Sequence, residues 1–240
     1  MSEVLTYPGE VFAHTPDFDP GIRVLLPRYE EMLEAIAHCL PSETENILEL
    51  GCGTGELSLK VLQRCPGAKL VAVDYSPRML AYAQTKLTAA GLGERVTWIE
   101  ADMGDWATGN QSLPNLGFTA CVSSLAIHHL SHGMKAQVFA QIYASLVTGG
   151  CFWNADPLLP SSADLSHAYT TVREAWASSQ GTTLAQVRAK IGSSPSHGHS
   201  SQDQLASLID HLNMLSQCGF QALDVPWKYY GLAVFGGYKL

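Results

Sequence analysis

Residues 47–56 read Ile47-Leu48-Glu49-Leu50-Gly51-Cys52-Gly53-Thr54-Gly55-Glu56. A short, mostly apolar run leads into three glycines at alternate positions, and an amphipathic segment follows. This order predicts a buried parallel strand, a tight turn and the beginning of a helix. Glycine permits positive φ, and it lets a ligand approach the backbone where a Cβ would stand in the way. The stretch therefore predicts a ligand-binding turn at the carboxyl end of a strand.

The spacing of the glycines narrows the class of ligand. A dinucleotide-binding turn has the spacing G-x-G-x-x-G and holds a pyrophosphate at the helix N-terminus. Here Glu56 stands at the position of the third glycine, in the first turn of the predicted helix. A carboxylate at that point would repel a diphosphate. The spacing G-x-G-x-G, with Glu49 two positions before the first glycine, favours a nucleoside that carries positive charge and no phosphate.

With these features the chain resembles the class I S-adenosylmethionine-dependent methyltransferases, whose first motif is acidic-x-G-x-G-x-G. Four later stretches resemble further motifs of that family, in the same order: 71–76, 99–103, 118–130 and 146–150. The resemblance is strongest over residues 45–157, and the last strands resemble one branch of small bacterial methyltransferases. It implies S-adenosyl-L-methionine as the cofactor and S-adenosyl-L-homocysteine as the product.

The resemblance also implies where the cofactor lies. Glu49 is expected to order the methionine end, Asp74 to hold the ribose hydroxyls, and Asp102 to accept from the adenine amine. Helix capping or turn formation is the alternative role for both aspartates, and a core position is the alternative for Met79. The remaining residues expected along the cofactor are Gly51, Cys52, Gly53, Gly55, Tyr75, Met79, Met103 and Ser123.

Three side chains that follow predicted strands are candidates for catalysis. His128 and His129 come after the fourth strand, and imidazole titrates near neutrality, so either is a candidate general base. Capping of the next segment is the alternative for these histidines. Asp156 ends the fifth strand, where it is a candidate to hold a cationic amine or accept a proton. The histidines, His132 included, lack a carboxylate partner and a metal-ligand spacing, so no metal site is predicted.

The residues predicted to contact the substrate are Phe12, Tyr29, His128, Asp156, Trp176 and Tyr229. For Tyr29 a core position with a locally satisfied hydroxyl is the alternative. Trp227 and Tyr229 share one side of a predicted strand. Lys228 and Tyr230 share the other side, so at most one of these two pairs is expected to face a cleft. His197 and His199, in a Ser- and Gly-rich stretch, are expected to be exposed to solvent.

Strands and helices alternate regularly over residues 47–155, which predicts an α/β fold with a doubly wound, mostly parallel sheet of seven strands. This is a Rossmann-like arrangement, with ligands at the carboxyl ends of the strands. We expect one domain, 1–240, whose parts are an N-terminal lid segment (1–40), a cofactor-binding core (41–157), a helical substrate cap (158–218) and an antiparallel C-terminal hairpin (219–240). Residues 1–22 are expected to form a surface segment or flexible arm, and residues 161–180, 182–191 and 202–217 to form helices.

Composition limits the classes of partner. The chain has 240 residues, of which 46% are hydrophobic and 15% charged, and its net charge is −8. With no basic run, this charge argues against binding a nucleic-acid backbone. No apolar run approaches the ~20 residues of a membrane span, and residues 1–4 show no secretory signal. The six cysteines are scattered and include no C-x-x-C pair, which suits a reducing compartment, so we expect a cytoplasmic protein. We expect it to be a monomer or a homodimer.

These observations together predict an enzyme that moves a methyl group to nitrogen or oxygen of a small molecule, a metabolite or natural product. A methyltransferase acting on tRNA or another macromolecule is the first alternative, and a basic rim around the cleft would favour it. A protein that binds S-adenosylmethionine without catalysis is the second alternative, and a sealed cleft would favour it.

Overall fold

The computed structural model describes residues 15–190 and 196–240, so Phe12, a predicted substrate contact, lies outside the described residues. The strands are β1 (Asn46–Leu50), β2 (Lys69–Asp74), β3 (Val96–Glu100), β4 (Phe118–Ser124), β5 (Leu146–Pro157), β6 (Gln221–Tyr229) and β7 (Leu232–Tyr238). The helices are α1 (Phe18–Leu25), α2 (Tyr29–Cys39), α3 (Glu56–Arg64), α4 (Pro77–Ala89), α5 (Met103–Ala107), α6 (His132–Ser145), α7 (Ala163–Ser179), α8 (Leu184–Lys190) and α9 (Leu208–Cys218).

The strands form one seven-stranded sheet in the order β3-β2-β1-β4-β5-β7-β6. β1 to β5 pair in parallel, whereas β7 runs antiparallel between β5 and β6. Because helices connect the parallel strands, the carboxyl ends of those strands meet at one edge of the sheet. The predicted doubly wound sheet and its antiparallel C-terminal hairpin are confirmed.

Apolar side chains cover both faces of the sheet. Successive residues of a strand point to opposite faces, so Ile47 packs with α1 to α4 and Leu48 packs with α5, α6 and α9. Both are fully buried. Burial on two faces explains why β1 appears in the sequence as a nearly continuous apolar run rather than as an alternation.

The turn after β2 follows the sequence prediction closely. The Ser76 hydroxyl accepts a hydrogen bond from the backbone N–H of Met79 at 3.2 Å and so caps α4. Pro77 occupies the first helical position, where its missing N–H costs nothing, and Gly91 adopts φ 74° just past the helix end. This capped helix keeps the end of β2 fixed beneath the ligand-binding edge.

The beginning of the described chain differs from the prediction, since α1 begins at Phe18, inside the stretch 1–22 that was expected to be a surface segment or flexible arm. Lys86 of α4 pairs with both Asp19 of α1 and Glu56 of α3. Arg23 of α1 pairs with the same Glu56, and Thr54 donates to Asp19 at 2.5 Å. These contacts join residues distant in the chain, which a local reading of 1–22 cannot reveal. They hold α1 over the beginning of α3.

Of the three helices predicted after β5, two lie where they were predicted and the third begins later. α7 and α8 fall inside the predicted helices 161–180 and 182–191. The next helix, predicted over 202–217, begins only at Leu208 because Ser207 and Asp210 form a capping box at that point. Residues 201–206 form no helix, and they lie instead along the segment that follows β4.

Backbone hydrogen bonds fix residues 201–206 in that position. The N–H of Ser201 donates to the carbonyl of His129 at 3.0 Å, and the N–H of Gln204 donates to the carbonyl of His128 at 2.8 Å. The buried ammonium of Lys135 donates to the carbonyl of Leu130 at 2.7 Å and also to that of Gln204. The two histidines predicted as catalytic are therefore covered by a later part of the chain.

Two further features concern the chain as a whole. All six cysteines are free thiols. Within residues 15–190 and 196–240, no helix combines the length and the apolar character that crossing a bilayer requires.

Candidate cofactor and methyl-transfer site

The three glycines of the turn after β1 meet different surroundings. Gly51 has φ 68°, and a Cβ on it would lie 2.3 Å from the Cβ of Ala126. Gly53 has φ 53°, and its Cβ position has nothing within 4 Å. Gly55 has φ 80°, and its Cβ position lies 2.9 Å from Leu87 of α4. The lack of a Cβ at Gly51 makes room for the segment after β4, and the lack of a Cβ at Gly55 lets α3 pack close to α4. The space beside Gly53 is open.

A cleft of about 680 Å³ opens at this turn, over the ends of β1, β2 and β4. Three carboxylates line it, from Glu49, Glu56 and Asp74, whereas the described lining residues include no lysine and no arginine. An acidic cleft of this kind fits a cationic nucleoside and repels a diphosphate. The other predicted cofactor or substrate residues in the lining are Tyr29, Gly51, Cys52, Gly53, Tyr75 and Met79.

Asp74 at the end of β2 is held by the backbone on both sides. Its Oδ2 accepts from the N–H of Gly53 at 2.8 Å, and its Oδ1 accepts from the N–H of Ser76 at 2.9 Å. The carboxylate is 8% exposed. Asp74 therefore stabilises the glycine turn and also lies on the wall of the cleft. The turn-forming role given as its alternative is present, and the side chain is also placed where a ligand could reach it.

Glu49 in β1 is almost completely buried at the bottom of the cleft. Burial raises the pKa of this carboxyl to about 8, and the nearby charge of Asp74 acts in the same direction. A hydrogen bond from the Ser58 hydroxyl, at 2.5 Å, opposes the rise. A cation placed against Glu49 would favour its ionised form, so the environment suits a ligand ammonium group.

Glu56 lies at the first position of α3. Burial disfavours its ionised form, but the cations of Lys86 and Arg23 outweigh that effect and hold the pKa of this carboxyl below its usual range. Glu56 is therefore paired with two cations, whereas the sequence predicted an unpaired carboxylate at this position. Because burial also keeps Glu49 protonated near pH 7, exclusion of a diphosphate rests mainly on Asp74 and on the lack of basic side chains in the described lining.

Asp102, expected at the adenine amine, caps the short helix α5. Its Oδ1 accepts from the N–H of Gly104 at 2.7 Å, and its Oδ2 accepts from the N–H of His199 at 3.1 Å. Neither Asp102 nor Met103 is among the described residues that line the cleft. Asp102 therefore has the helix-capping role that was given as its alternative. The stretch 196–200 covers the side of the carboxylate that faces away from α5.

That covering stretch is more buried than its composition suggests. The ring of His197 stacks on Tyr75 with 5.6 Å between ring centres, and Nε2 of His199 lies 3.1 Å from Oδ1 of Asp105. Both histidines are half-buried, so the expectation of solvent-exposed side chains is wrong. The contacts come from β2 and α5, far away in the chain, and local composition does not show them.

The end of β4 places a different serine in the cleft from the predicted one. Ser123 is fully buried, and its hydroxyl donates to the carbonyl of Leu50 at 2.8 Å. The next residues, Ser124, Leu125 and Ala126, line the cleft. Successive strand residues point to opposite sides, which explains why the neighbour of Ser123 reaches the cleft while Ser123 faces β1.

His128 and Asp156 form a buried pair. Nδ1 of His128 lies 2.8 Å from Oδ1 of Asp156, and Asn154 donates to Oδ2 of the same carboxylate at 2.8 Å. Asp156 and Asn154 are fully buried, and His128 is 7% exposed. Because a carboxylate accepts, Nδ1 carries the proton and Nε2 is left as the basic nitrogen. Asn154 was not predicted, although it lies two residues before Asp156 on the same side of β5.

His129 lies against His128, with 4.1 Å between ring centres, and lines the cofactor cleft. Its Nδ1 donates to the carbonyl of Ser201 at 3.0 Å. Burial lowers the pKa of His129 to about 4, and the neighbouring His128 contributes in the same direction. His129 is therefore a neutral imidazole at pH 7 and a weak base, and it forms part of the wall of the cofactor cleft.

Asp203, which the sequence did not single out, approaches both histidines. Its Oδ1 lies 3.7 Å from Nε2 of His128 and 3.7 Å from Nδ1 of His129, and its side chain is 64% exposed. The potential ligand atoms of these three residues lie within 4.8 Å of one another. The sequence predicted no metal site because the histidines lacked a carboxylate partner, and the irregular segment 201–206 places Asp203 beside them.

The predicted substrate residues are divided between different places. Tyr29 lines the cofactor cleft, while Trp176 donates from Nε1 to the carbonyl of Arg23 at 3.2 Å and so ties α7 to α1. Tyr229 and Tyr230 both line a second cleft, of about 700 Å³, between α7 and the turn that joins β6 and β7. The expected alternation fails there because Tyr230 lies in the turn with φ 48°.

Comparison with known proteins agrees with this geometry. A family model described as a methyltransferase domain matches residues 47–150. The carboxy-S-adenosyl-L-methionine synthase of Campylobacter lari is 21% identical over 92% of this chain and 90% of its own length. The demethylmenaquinone methyltransferase of Thermus thermophilus is 33% identical over 48% of this chain and 49% of its own length.

A solved structure, an O-methyltransferase family 2 protein from Planctomyces limnophilus in complex with apigenin, superposes with a TM-score of 0.62 at 18% identity. It matches 87% of this chain, and the chain spans 57% of that protein. The matched domain, the strand order and the acidic cleft at the glycine turn agree with one another. Residues 47–150 therefore form a methyltransferase domain, and in its fold and its acidic cleft the chain is similar to the class I S-adenosylmethionine-dependent methyltransferases.

Proposed function

We propose that this chain transfers the methyl group of S-adenosylmethionine to a hydroxyl oxygen of a small-molecule acceptor. The observation that carries the proposal is the hydrogen bond between Nδ1 of His128 and Asp156, 2.8 Å long and buried. The bound cofactor supplies an activated methyl group on its sulfonium. A hydroxyl must lose its proton as its oxygen attacks, and Nε2 of His128 is the group that would take that proton. An amine with a free lone pair needs no such base.

The residues of the first cleft would then hold the cofactor in the order that the family pattern implies. Glu49 would meet the ammonium of the methionine end, since its carboxyl lies at the base of the acidic cleft. Asp74 would accept from the ribose hydroxyls, and Tyr75 and Met79 would flank the adenine. Orientation of the acceptor against the sulfonium can supply effective molarities of ~10⁵–10⁸ M, so the walls of the cleft can contribute more than the base.

The charge of the chain supports a small acceptor rather than a nucleic acid. Aspartate and glutamate number 22 against 14 lysines and arginines. The tRNA-modifying alternative would need a basic surface to hold phosphates. The relative solved with apigenin, a small phenolic molecule, points in the same direction as the histidine–aspartate pair. The free thiols suit a reducing compartment, and we propose the cytoplasm.

The test compares matched acceptors on the same ring. The protein is incubated with S-adenosylmethionine and either a phenol or the corresponding aniline, and mass spectrometry follows the gain of one methyl group. We expect methylation of the phenol by the wild-type protein and its loss in His128→Asn, with cofactor binding retained in the variant. Methylation of the aniline alone, or phenol methylation unaffected by His128→Asn, would contradict oxygen transfer through this base. Cofactor binding without transfer to any acceptor would favour the non-catalytic alternative.

A second candidate function rests on a separate observation. The Campylobacter lari relative, which this chain matches over nearly its whole length, is named for making carboxy-S-adenosyl-L-methionine. In such a reaction the cofactor itself is changed, and no acceptor is methylated. The mass of the cofactor recovered after incubation with wild-type protein and a panel of organic acids separates the two functions. A carboxylated cofactor would favour this second candidate, and unchanged cofactor beside a methylated acceptor would exclude it.

A further inference from the structure

A cluster of two histidines and one carboxylate lies beside the cofactor cleft. One potential ligand atom from each of His128, His129 and Asp203 lies within 4.8 Å of the other two. Both imidazoles are buried, whereas the Asp203 side chain is 64% exposed, so the cluster is open to solvent on one side. His129 also lines the cofactor cleft. Two imidazoles and a carboxylate form a donor set that binds Zn²⁺ and related divalent ions in proteins.

The carboxylate of Asp203 is placed as a shared ligand rather than as a hydrogen-bond acceptor. Its Oδ1 lies 3.7 Å from Nε2 of His128 and 3.7 Å from Nδ1 of His129. Both separations exceed the length of a hydrogen bond. Ligand atoms ~2.0–2.1 Å from a tetrahedral Zn²⁺ lie roughly 3.4 Å apart. Because Asp203 is exposed on an irregular segment, its side chain can move by the small difference, so the three side chains suit one ion.

His128 is held in the orientation that a metal ligand requires. Its Nδ1 donates to the buried carboxylate of Asp156 at 2.8 Å, which leaves the lone pair on Nε2, the nitrogen that approaches Asp203. Asn154 fixes the same carboxylate with a hydrogen bond of 2.8 Å. Metal-binding histidines in proteins commonly donate their other ring N–H to a carboxylate in this way. The buried pair is therefore a second indication of a metal ligand, independent of the cluster.

Backbone hydrogen bonds hold Asp203 against the two rings. The N–H of Ser201 donates to the carbonyl of His129, and the N–H of Gln204 donates to the carbonyl of His128, so residue 203 lies between two fixed points. Nδ1 of His129 donates to the carbonyl of Ser201 at 3.0 Å. An ion on Nδ1 would replace that proton, which lies on Nε2 in the other neutral tautomer. Ser201 is only half-buried, so water can then satisfy its carbonyl.

The charges around the cluster favour a cation. The carboxylates of Asp156 and Asp203 approach opposite nitrogens of the His128 ring. The ammonium of Lys135 donates to the carbonyl of Gln204 and acts against a cation at this place. Two carboxylates thus outweigh one ammonium among these groups, and a divalent ion would be attracted.

We propose that His128, His129 and Asp203 bind a divalent transition-metal ion of the Zn²⁺ class, and that the bound ion inhibits methyl transfer. The lone pair on Nε2 of His128 cannot hold an ion and take a proton from the acceptor at the same time. The ion is therefore a competitor of the reaction and not its cofactor. The inhibition rests on the proposed function, whereas metal binding does not.

The first experiment titrates Co²⁺ into the full chain, because the absorption spectrum of bound Co²⁺ reports its ligands. We expect binding without the near-ultraviolet band of a cobalt–thiolate bond. Zn²⁺ should displace the Co²⁺, and Mg²⁺, which prefers oxygen ligands, should not. Asp203→Asn is expected to weaken Co²⁺ binding at least tenfold, and its retained binding of S-adenosylhomocysteine would show that it is folded. Asp164→Asn removes an equal charge from the exposed first turn of α7 and should change nothing.

The second experiment measures transfer of the methyl group to the phenol in the presence of Zn²⁺. Inhibition is expected for the wild-type chain and Asp164→Asn at Zn²⁺ concentrations at which Asp203→Asn keeps most of its rate. A rate that Zn²⁺ raises or leaves unchanged would contradict the inhibition.

The metal site and the proposed reaction fail separately. Lack of Co²⁺ binding, equal Co²⁺ affinity of the wild-type chain and Asp203→Asn, or a cobalt–thiolate band would each contradict the metal site. If the wild-type chain methylates no phenol, the proposed reaction and its inhibition fail together, while the Co²⁺ titration still decides the metal site.

Discussion

Nδ1 of His128 lies 2.8 Å from Oδ1 of Asp156, and this contact joins the segment after β4 to the end of β5 in the interior of the protein. If the pair removes a proton from the acceptor, His128→Asn and Asp156→Asn should each lower the rate of methyl transfer by about 10²- to 10⁴-fold. The binding of S-adenosylhomocysteine should change little, because neither side chain lines the cofactor cleft. Rates and calorimetric affinities measured on the same samples check this.

The matched control for the histidine is His132→Asn, at the exposed beginning of α6. It should leave both rate and affinity unchanged. A His128→Asn variant with the wild-type rate would show that Asp156 and His128 only stabilise the fold.

The raised pKa of Glu49 predicts how cofactor binding depends on pH. Burial raises this pKa to about 8, so the free protein holds Glu49 protonated below that pH. A ligand ammonium pairs with the ionised form, so binding must release a proton. Affinity for S-adenosylhomocysteine should therefore rise as pH increases towards 8 and level off above it. Calorimetric titrations between pH 6 and 9 measure this, and Glu49→Gln should abolish the dependence. An unchanged pH profile in that variant would place the ammonium elsewhere.

The close approach at Gly51 predicts a cost for any side chain there. Gly51→Ala combines φ 68° with a Cβ only 2.3 Å from that of Ala126, so the segment after β4 must move. We expect a loss of about 1–3 kcal/mol in the free energy of unfolding, together with weaker cofactor binding. Gly109→Ala, at φ 79° with nothing within 4 Å of its Cβ position, isolates the cost of the backbone conformation alone. Equal losses in the two variants would contradict the steric explanation.

The buried ammonium of Lys135 predicts a structural penalty of a different kind. Lys135→Met would leave the carbonyls of Leu130 and Gln204 without their donor, at a cost of about 1–3 kcal/mol of unfolding free energy. Residues 201–206 should then loosen over His128, which hydrogen exchange of the Gln204 amide would report. The control Lys60→Met removes a partly exposed ion pair with Glu30 and should cost less. Unchanged exchange at Gln204 would contradict the proposed link.

The strands, the glycine turn and the capped α4 could be predicted because their signals are local. An apolar run, alternate glycines and the order Ser76-Pro77 each act within a few residues. Glu49 and Asp74, at the carboxyl ends of β1 and β2, could be placed at one edge because parallel strands end together.

The remaining features depend on contacts between distant parts of the chain. Residues 201–206 have a helix-compatible composition, but their N–H groups bond to the carbonyls of His128 and His129. The observed role of Glu56 differs from the predicted one because Lys86 and Arg23, from other helices, form ion pairs with it. Tyr230 does not follow the predicted alternation because it lies in the turn after β6 with a positive φ. No short-range pattern carries this information.

The most direct test of the account is calorimetric titration of S-adenosylmethionine and S-adenosylhomocysteine into the wild-type chain, Asp74→Ala and Asp164→Ala. Asp74 lines the acidic cleft and receives the Gly53 N–H, whereas Asp164 is exposed in the first turn of α7. The account predicts binding of both nucleosides by the wild-type chain and by Asp164→Ala, and a loss of at least tenfold in Asp74→Ala. Equal binding by Asp74→Ala, or no binding of either nucleoside by the folded wild-type chain, would contradict it.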